Sequence, residues 1–209
     1  MKNDLIVQSP AQPRELVLLF HGVGSSATDL VPLGQALASH HPDAQIVSVQ
    51  APDAIGQGWQ WFTVQGISEE NRPARVAAAL PGFNAAVRSW QQASGADAGR
   101  TTLIGFSQGA IMALEATQAD TSLAGRVFAL SGRFAKPPRV APPGTLYHLM
   151  QGDADPLMPV SLAIDSHARL LALQARATLD RFPGLGHAID ARVVDAILGH
   201  FESAQSSTG

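Results

Sequence analysis

The chain has 209 residues, of which 45% are hydrophobic and 15% charged, and it carries a net charge of −3 and no cysteine. That length suits one sizeable α/β core rather than two full domains, and no apolar run reaches membrane-spanning length. The lack of cysteine removes thiol nucleophiles, thiolate metal sites and disulfides, while scattered Lys and Arg with no interleaved aromatic stacking pattern give nucleic acid no surface. The N-terminal stretch places Asp4 beside Lys2 and soon meets Pro10 and Pro13. It lacks the apolar h-region of a secretory signal, so the expected location is the cytoplasm.

Asp4 to Ser9 alternates weakly and reads as an edge strand. Leu16 to Phe20 is a continuous apolar run of strand length, the pattern of a parallel strand buried on both faces. It leads into the glycine-bearing loop His21 to Ser26 and then a helix carrying Leu30, Leu33 and Leu37, which ends near His41-Pro42. Ile46 to Val49 is the next strand. From Ala54 to Ser68, Gly56, Gly58 and Gly66 are interleaved with Trp59, Trp61 and Phe62. These aromatic residues either cover the core as a hydrophobic plug or line a substrate pocket, since apolar pockets are commonly aromatic-lined.

From Glu69 to about Ser94 the spacing predicts a helix, with Glu69 and Glu70 in its first turn and Pro81-Gly82 bending or splitting it. Thr101 to Thr117 reads as a strand running into a helix, with Gly105-Phe106-Ser107-Gln108-Gly109 between them. Arg126 to Leu130 and Thr145 to Gln151 are further strands, separated by a proline-rich loop. A helix extends to about Gln174, Ala177 to Phe182 is the last strand, and an amphipathic helix with Val193, Val194, Ile197 and Leu198 closes the chain. The alternation predicts a mostly parallel central sheet with helices on both faces in one domain over residues 1–209, binding ligands at the carboxyl ends of its strands.

The segment around Ser107 has the form G-x-S-x-G at a strand-to-helix junction. A turn that tight strains the serine and leaves no room for side chains two residues to either side, so Ser107 stands exposed at the top of the sheet as a candidate nucleophile. The N–H groups and positive dipole end of the following helix lie beside it. A serine hydroxyl needs a base in hydrogen-bond reach and a group that orients the base. Among the later histidines, His148 falls inside a strand and His167 and His200 within helices. His187 alone follows the last strand in a glycine-flanked loop, which makes it the candidate base. The acid lies between Asp153 and Asp155, both in the loop after the Thr145 strand; the deeper position slightly favours Asp155, and Asp153 is also placed to bind loop amides. The oxyanion donors expected in this architecture are the backbone N–H groups of Gln108 and Val23, with His21 bracing the loop.

Four segments in order, Leu18-Leu-Phe-His-Gly-Val-Gly24, Gly105-Phe-Ser-Gln-Gly109, Gly152 to Pro159 with Asp155, and Gly186-His187, resemble the phospholipase/carboxylesterase family of α/β-hydrolases over nearly the whole chain. Trp61 to Ile67 and Gly105 to Glu115 are similar to a bacterial esterase subgroup within it. Thr63 stands where many members carry an acidic residue. The resemblance implies an α/β-hydrolase fold and a serine carboxylesterase that needs neither cofactor nor metal, with Ser107, Asp155 and His187 as its triad. The expected reaction is hydrolysis of short to medium acyl esters through an acyl-serine. The competing readings are an acyl-protein or small acyl thioesterase using the same machinery, and an inactive binding protein on a hydrolase fold.

Overall fold

Strands β2 (Glu15–Phe20), β3 (Ala44–Val49) and β6 (Thr101–Phe106) are buried along almost their whole length, and each pairs in parallel with its neighbour in the centre of one sheet. The computed structural model describes residues 3–206. The sheet adds β7 (Arg126–Leu130), β8 (Leu146–Gly152) and β9 (Arg176–Phe182), all parallel, and β1 (Leu5–Gln8), antiparallel at one edge. Its order is β1-β3-β2-β6-β7-β8-β9. The crossovers are α1 (Val31–His40), α2 (Arg72–Ser94), α3 (Gln108–Ala119) and α4 (Val160–Ala172), and α5 (Ala191–Ser206) follows β9.

Side chains alternate across the sheet, which divides the core in two. Leu16, Leu18, Phe20 and Leu103 point to one face, where Val76, Phe83, Val87 and Trp90 of α2, Ile111 and Leu114 of α3 and Leu170 of α4 cover them. Val17, Leu19, Ile104 and Phe128 point to the other, beneath Leu33 and Leu37 of α1 and Val193, Ile197 and Phe201 of α5. Each large apolar side chain removed from water contributes about 1.5–3 kcal/mol, so the two faces together dominate the favourable side of folding.

Three expectations change. Helix α2 begins at Arg72, and Glu69, placed before it, binds both Arg72 and Arg133 (2.9 and 2.6 Å) instead of joining the first turn. The helix also runs unsplit through Pro81-Gly82, because the buried stripe on both sides of the proline holds it against the sheet and α3. The Ala54 to Ser68 region contains a small hairpin, β4 (Asp53–Ile55) with β5 (Gly58–Gln60), turned at Gly56 with φ 57°. Three-residue strands carry too little alternation to be read from sequence.

On the α5 side a column of rings runs His41, Phe201, Phe128, His148, His200, with neighbouring centroids 4.1 to 5.3 Å apart. His148 is 1% exposed; its Nδ1 is 2.8 Å from Thr178 Oγ1 and its Nε2 has no partner. Burial, reinforced by His200, Arg126 and Arg176, pushes its pKa down to about 3. In the unfolded chain an imidazole titrates near ~6.5. Between those values the unfolded chain binds the additional proton, so stability falls as pH drops from the upper value to the lower, by at most about 1.4 kcal/mol per pH unit. The Tm of wild type is therefore expected to fall more steeply between pH 6.5 and 4 than that of His148→Gln; equal slopes would remove His148 as the source of acid sensitivity.

Candidate active site

The loops at the carboxyl ends of β2, β6 and β8, together with the loop after β9, carry the candidate residues. Ser107 separates β6 from α3, is buried (8% exposed) rather than exposed as expected, because the loops around it close over it, and has φ 53° and ψ −114°, a conformation that a non-glycine residue keeps only when its surroundings enforce it. Its N–H donates to Leu130 O at 2.9 Å. The two flanking glycines are required by close approach. A Cβ on Gly105 would lie 2.4 Å from Gly109 O, and one on Gly109 would lie 2.1 Å from Phe20 O. The elbow therefore depends on α3 starting directly against the end of β2.

His187 Nε2 is 2.9 Å from Ser107 Oγ, and His187 Nδ1 is 2.7 Å from Asp155 Oδ2. The carboxylate can only accept, so Nδ1 carries the proton and Nε2 is free to accept from the serine hydroxyl. Asp155 is saturated. Its Oδ1 accepts from the N–H groups of Leu157 and Met158, both at 2.9 Å, and its Oδ2 accepts from His187 and from Gln151 Nε2 at 3.0 Å. Its side chain is fully buried. Burial alone would raise its pKa, but the hydrogen bonds from Met158, His187 and Leu157 outweigh that and hold the carboxyl below its usual value. The expected amide-binding role of Asp153 falls instead to Asp155: Asp153 pairs with Arg181 at 2.9 Å on the surface. Gln151, buried at the end of β8, also donates to Met158 O at 2.8 Å. It was not foreseen, and its one sequence signal is an amide ending an apolar strand.

The loop after β2 passes close to Ser107: a Cβ on Gly22 would be 3.2 Å from that of the serine. His21 is fully buried. Its Nε2 lies 3.2 Å from the N–H of Ala51, which can only donate, so Nε2 accepts and Nδ1–H donates to Gly22 O at 2.7 Å. Burial lowers the His21 pKa against the opposing pull of the Gly22 carbonyl, the same direction that an accepting Nε2 requires. The Gly22–Val23 peptide is trans, so fixing the Gly22 carbonyl towards His21 turns the Val23 N–H the opposite way. Among the described residues neither that N–H nor the N–H of Gln108, first in α3, donates to another group.

The three aromatic residues of the glycine-rich segment separate. Trp59 lies in β5, bonded through its backbone to Gly24 and Ser25. Trp61 and Phe62 are buried and line a cavity of about 450 Å³ with Pro52, Thr63, Ala79 and Phe83; Ser107, His187 and Trp59 are not part of its lining.

The model of the family described as phospholipase/carboxylesterase matches residues 1–204. Esterase YpfH of Escherichia coli strain K12 is 46% identical over 204 residues, a match spanning 96% of this chain and 88% of that protein. The crystal structure of esterase PE8 superposes with a TM-score of 0.85 at 29% identity, covering 93% of this chain and 96% of that one. A carboxylesterase from Mesorhizobium loti superposes with a TM-score of 0.78 over 90% and 88% of the two chains; at 20% identity this is a likeness of fold. With the family model matched along nearly its whole length, this chain belongs to the phospholipase/carboxylesterase family and has the α/β-hydrolase fold.

Proposed function

We propose that the protein is a serine carboxylesterase that hydrolyses short to medium acyl esters through an acyl-serine intermediate. The observation that carries the reading is the continuous line of hydrogen bonds from Ser107 Oγ through His187 to the saturated carboxylate of Asp155, at 2.9 and 2.7 Å. In this mechanism Ser107 Oγ attacks the ester carbonyl carbon while its proton passes to His187 Nε2. Asp155 holds the ring in the Nδ1–H tautomer and stabilises the imidazolium. Collapse of the tetrahedral intermediate breaks the bond to the alcohol oxygen, which takes the proton from Nε2 and leaves. Water, deprotonated by the same nitrogen, then attacks the acyl-serine and releases the acid, restoring Ser107.

The developing oxyanion is assigned to the N–H groups of Val23 and Gln108, both without partners among the described residues and the second at the positive end of α3. Trp61 and Phe62 are proposed as an apolar wall beside the site, since the Trp61 N–H and the Phe62 carbonyl are both bonded to the side chain of Gln108, next to Ser107. The similarity to Esterase YpfH and to esterase PE8 supports ester substrates. All steps use the chain's own residues, and the enzyme is read as a single cytoplasmic domain acting on a small-molecule ester.

Initial rates on p-nitrophenyl esters and acyl thioesters of increasing chain length test the substrate class. Esters of short and medium acyl groups are expected to give the highest kcat/KM, and a clear preference for thioesters would transfer the assignment to a thioesterase. Ser107→Ala is expected to lose about 10⁴ to 10⁶ in kcat and all labelling by a fluorophosphonate. Labelling at the wild-type rate would remove Ser107 as nucleophile. Asp155→Asn should lower kcat by about 10³ to 10⁴ by favouring the wrong imidazole tautomer, whereas Asp153→Asn should stay within about threefold of wild type. Rates of both folded variants on one activated ester check the order, and an inactive Asp153→Asn beside an active Asp155→Asn would reverse the assignment.

A further inference from the structure

Trp61 makes two hydrogen bonds of a kind that a pocket lining does not need. Its backbone N–H donates to Gln108 Oε1 at 2.7 Å, and Gln108 Nε2 returns a bond of 2.7 Å to Phe62 O. Its indole Nε1–H donates to His21 O at 2.8 Å. One residue is thereby bonded at one end to the side chain of Gln108 and at the other to the peptide preceding Gly22-Val23. Gln108 is 3% exposed, His21 is fully buried and Trp61 is 4% exposed, so water cannot replace these partners. The ring is wedged edge-on against Phe20 and Phe83, with centroids 5.5 and 5.4 Å away.

We infer that Trp61 is a positioning residue, a strut that sets the separation of the two oxyanion donors, Val23 N–H and Gln108 N–H. The inference rests on the assignment of those donors in the preceding section. Each donor belongs to a different segment, the loop after β2 and the first turn of α3, and the two segments come from separate β-α units of the chain. The elbow glycines bring these segments together. The Trp61 bonds tie both to one residue, because the indole holds the His21 carbonyl and the clamp on Gln108 holds the start of α3. An oxyanion binds two donors at once only if both point to one position, and a misplacement of about 1 Å costs on the order of a hundredfold in rate.

Trp61→Phe keeps an aromatic ring and the backbone bonds to Gln108 but deletes the indole N–H together with the five-membered half of the indole. Active sites are first counted by stoichiometric fluorophosphonate labelling, so that a variant that is merely less well folded is corrected for. Per labelled site, kcat for p-nitrophenyl acetate is expected to fall by about 10- to 100-fold with KM within about threefold of wild type. The inhibition constant of a trifluoromethyl ketone, which forms a tetrahedral oxyanion on the serine, should rise by the same factor as kcat falls. Gln108→Met, which retains its backbone N–H but loses the clamp, should show the same paired change, and it decides the matter if Trp61→Phe labels poorly. A kcat per site within threefold of wild type in the variant that labels, or a ketone affinity that does not follow kcat, overturns the strut. Failure of the underlying reading looks different: Ser107→Ala would still label or turn over.

Discussion

The saturated carboxylate of Asp155 is the constraint on which the rest of the site depends. A buried charge is tolerated only when its hydrogen-bonding capacity is filled, and Asp155 meets this with two backbone amides, one glutamine and one histidine. Because three of those partners come from its own strand and loop, the carboxylate is held independently of His187. The histidine is then the remaining donor, with its tautomer and ring plane set by an acceptor that cannot move. Ser107, held at positive φ by the packing of β6, α3 and the end of β2, meets the free nitrogen. Two buried elements thus converge on a single line of hydrogen bonds, and neither is built from exposed surface side chains.

The proposed oxyanion side follows a second logic. The two groups assigned to it are backbone amides, so the side chains around them serve to aim peptides. His21 turns the Gly22 carbonyl inward and the Val23 N–H away, and Trp61 links the preceding peptide, through the His21 carbonyl, to the start of α3. The neutral state of His21 belongs to this arrangement, since a protonated Nε2 would face the N–H of Ala51 and lose its role as acceptor. Trp61 therefore acts through its polar edge as much as through its apolar faces.

Much of the parallel sheet was legible because strands buried on both faces are continuous apolar runs, and Leu16 to Phe20 is as plain as such a run becomes. The residues that the structure brings together around Ser107 were legible through punctuation: glycines at fixed offsets around the serine, and His187 isolated between Gly186 and the last helix. What escaped was set by tertiary contact. The β4–β5 hairpin exists because Trp59 pairs with the loop after β2, 34 residues earlier at Ser25. Pro81 is tolerated inside α2 because flanking apolar residues hold the helix in place, a property that local propensity does not carry. The division of labour between Asp153 and Asp155 turned on which side chain faces inward from a tight loop, and Gln151 revealed itself only once its amide was seen bridging Asp155 and Met158.

The central claim is that Ser107 becomes covalently acylated during turnover, and intact-protein mass spectrometry on acid-quenched reactions with a p-nitrophenyl ester tests it most directly. Trypsin cleavage after Arg100 and Arg126 isolates the serine in one peptide, residues 101–126. The account predicts a mass increase equal to the acyl group, less the displaced hydrogen, on that peptide and at Ser107, appearing within the first turnovers and disappearing as substrate is exhausted. Sustained turnover with no acylated species at any quench time, or with the acyl group on another residue while Ser107 stays unmodified, would contradict it.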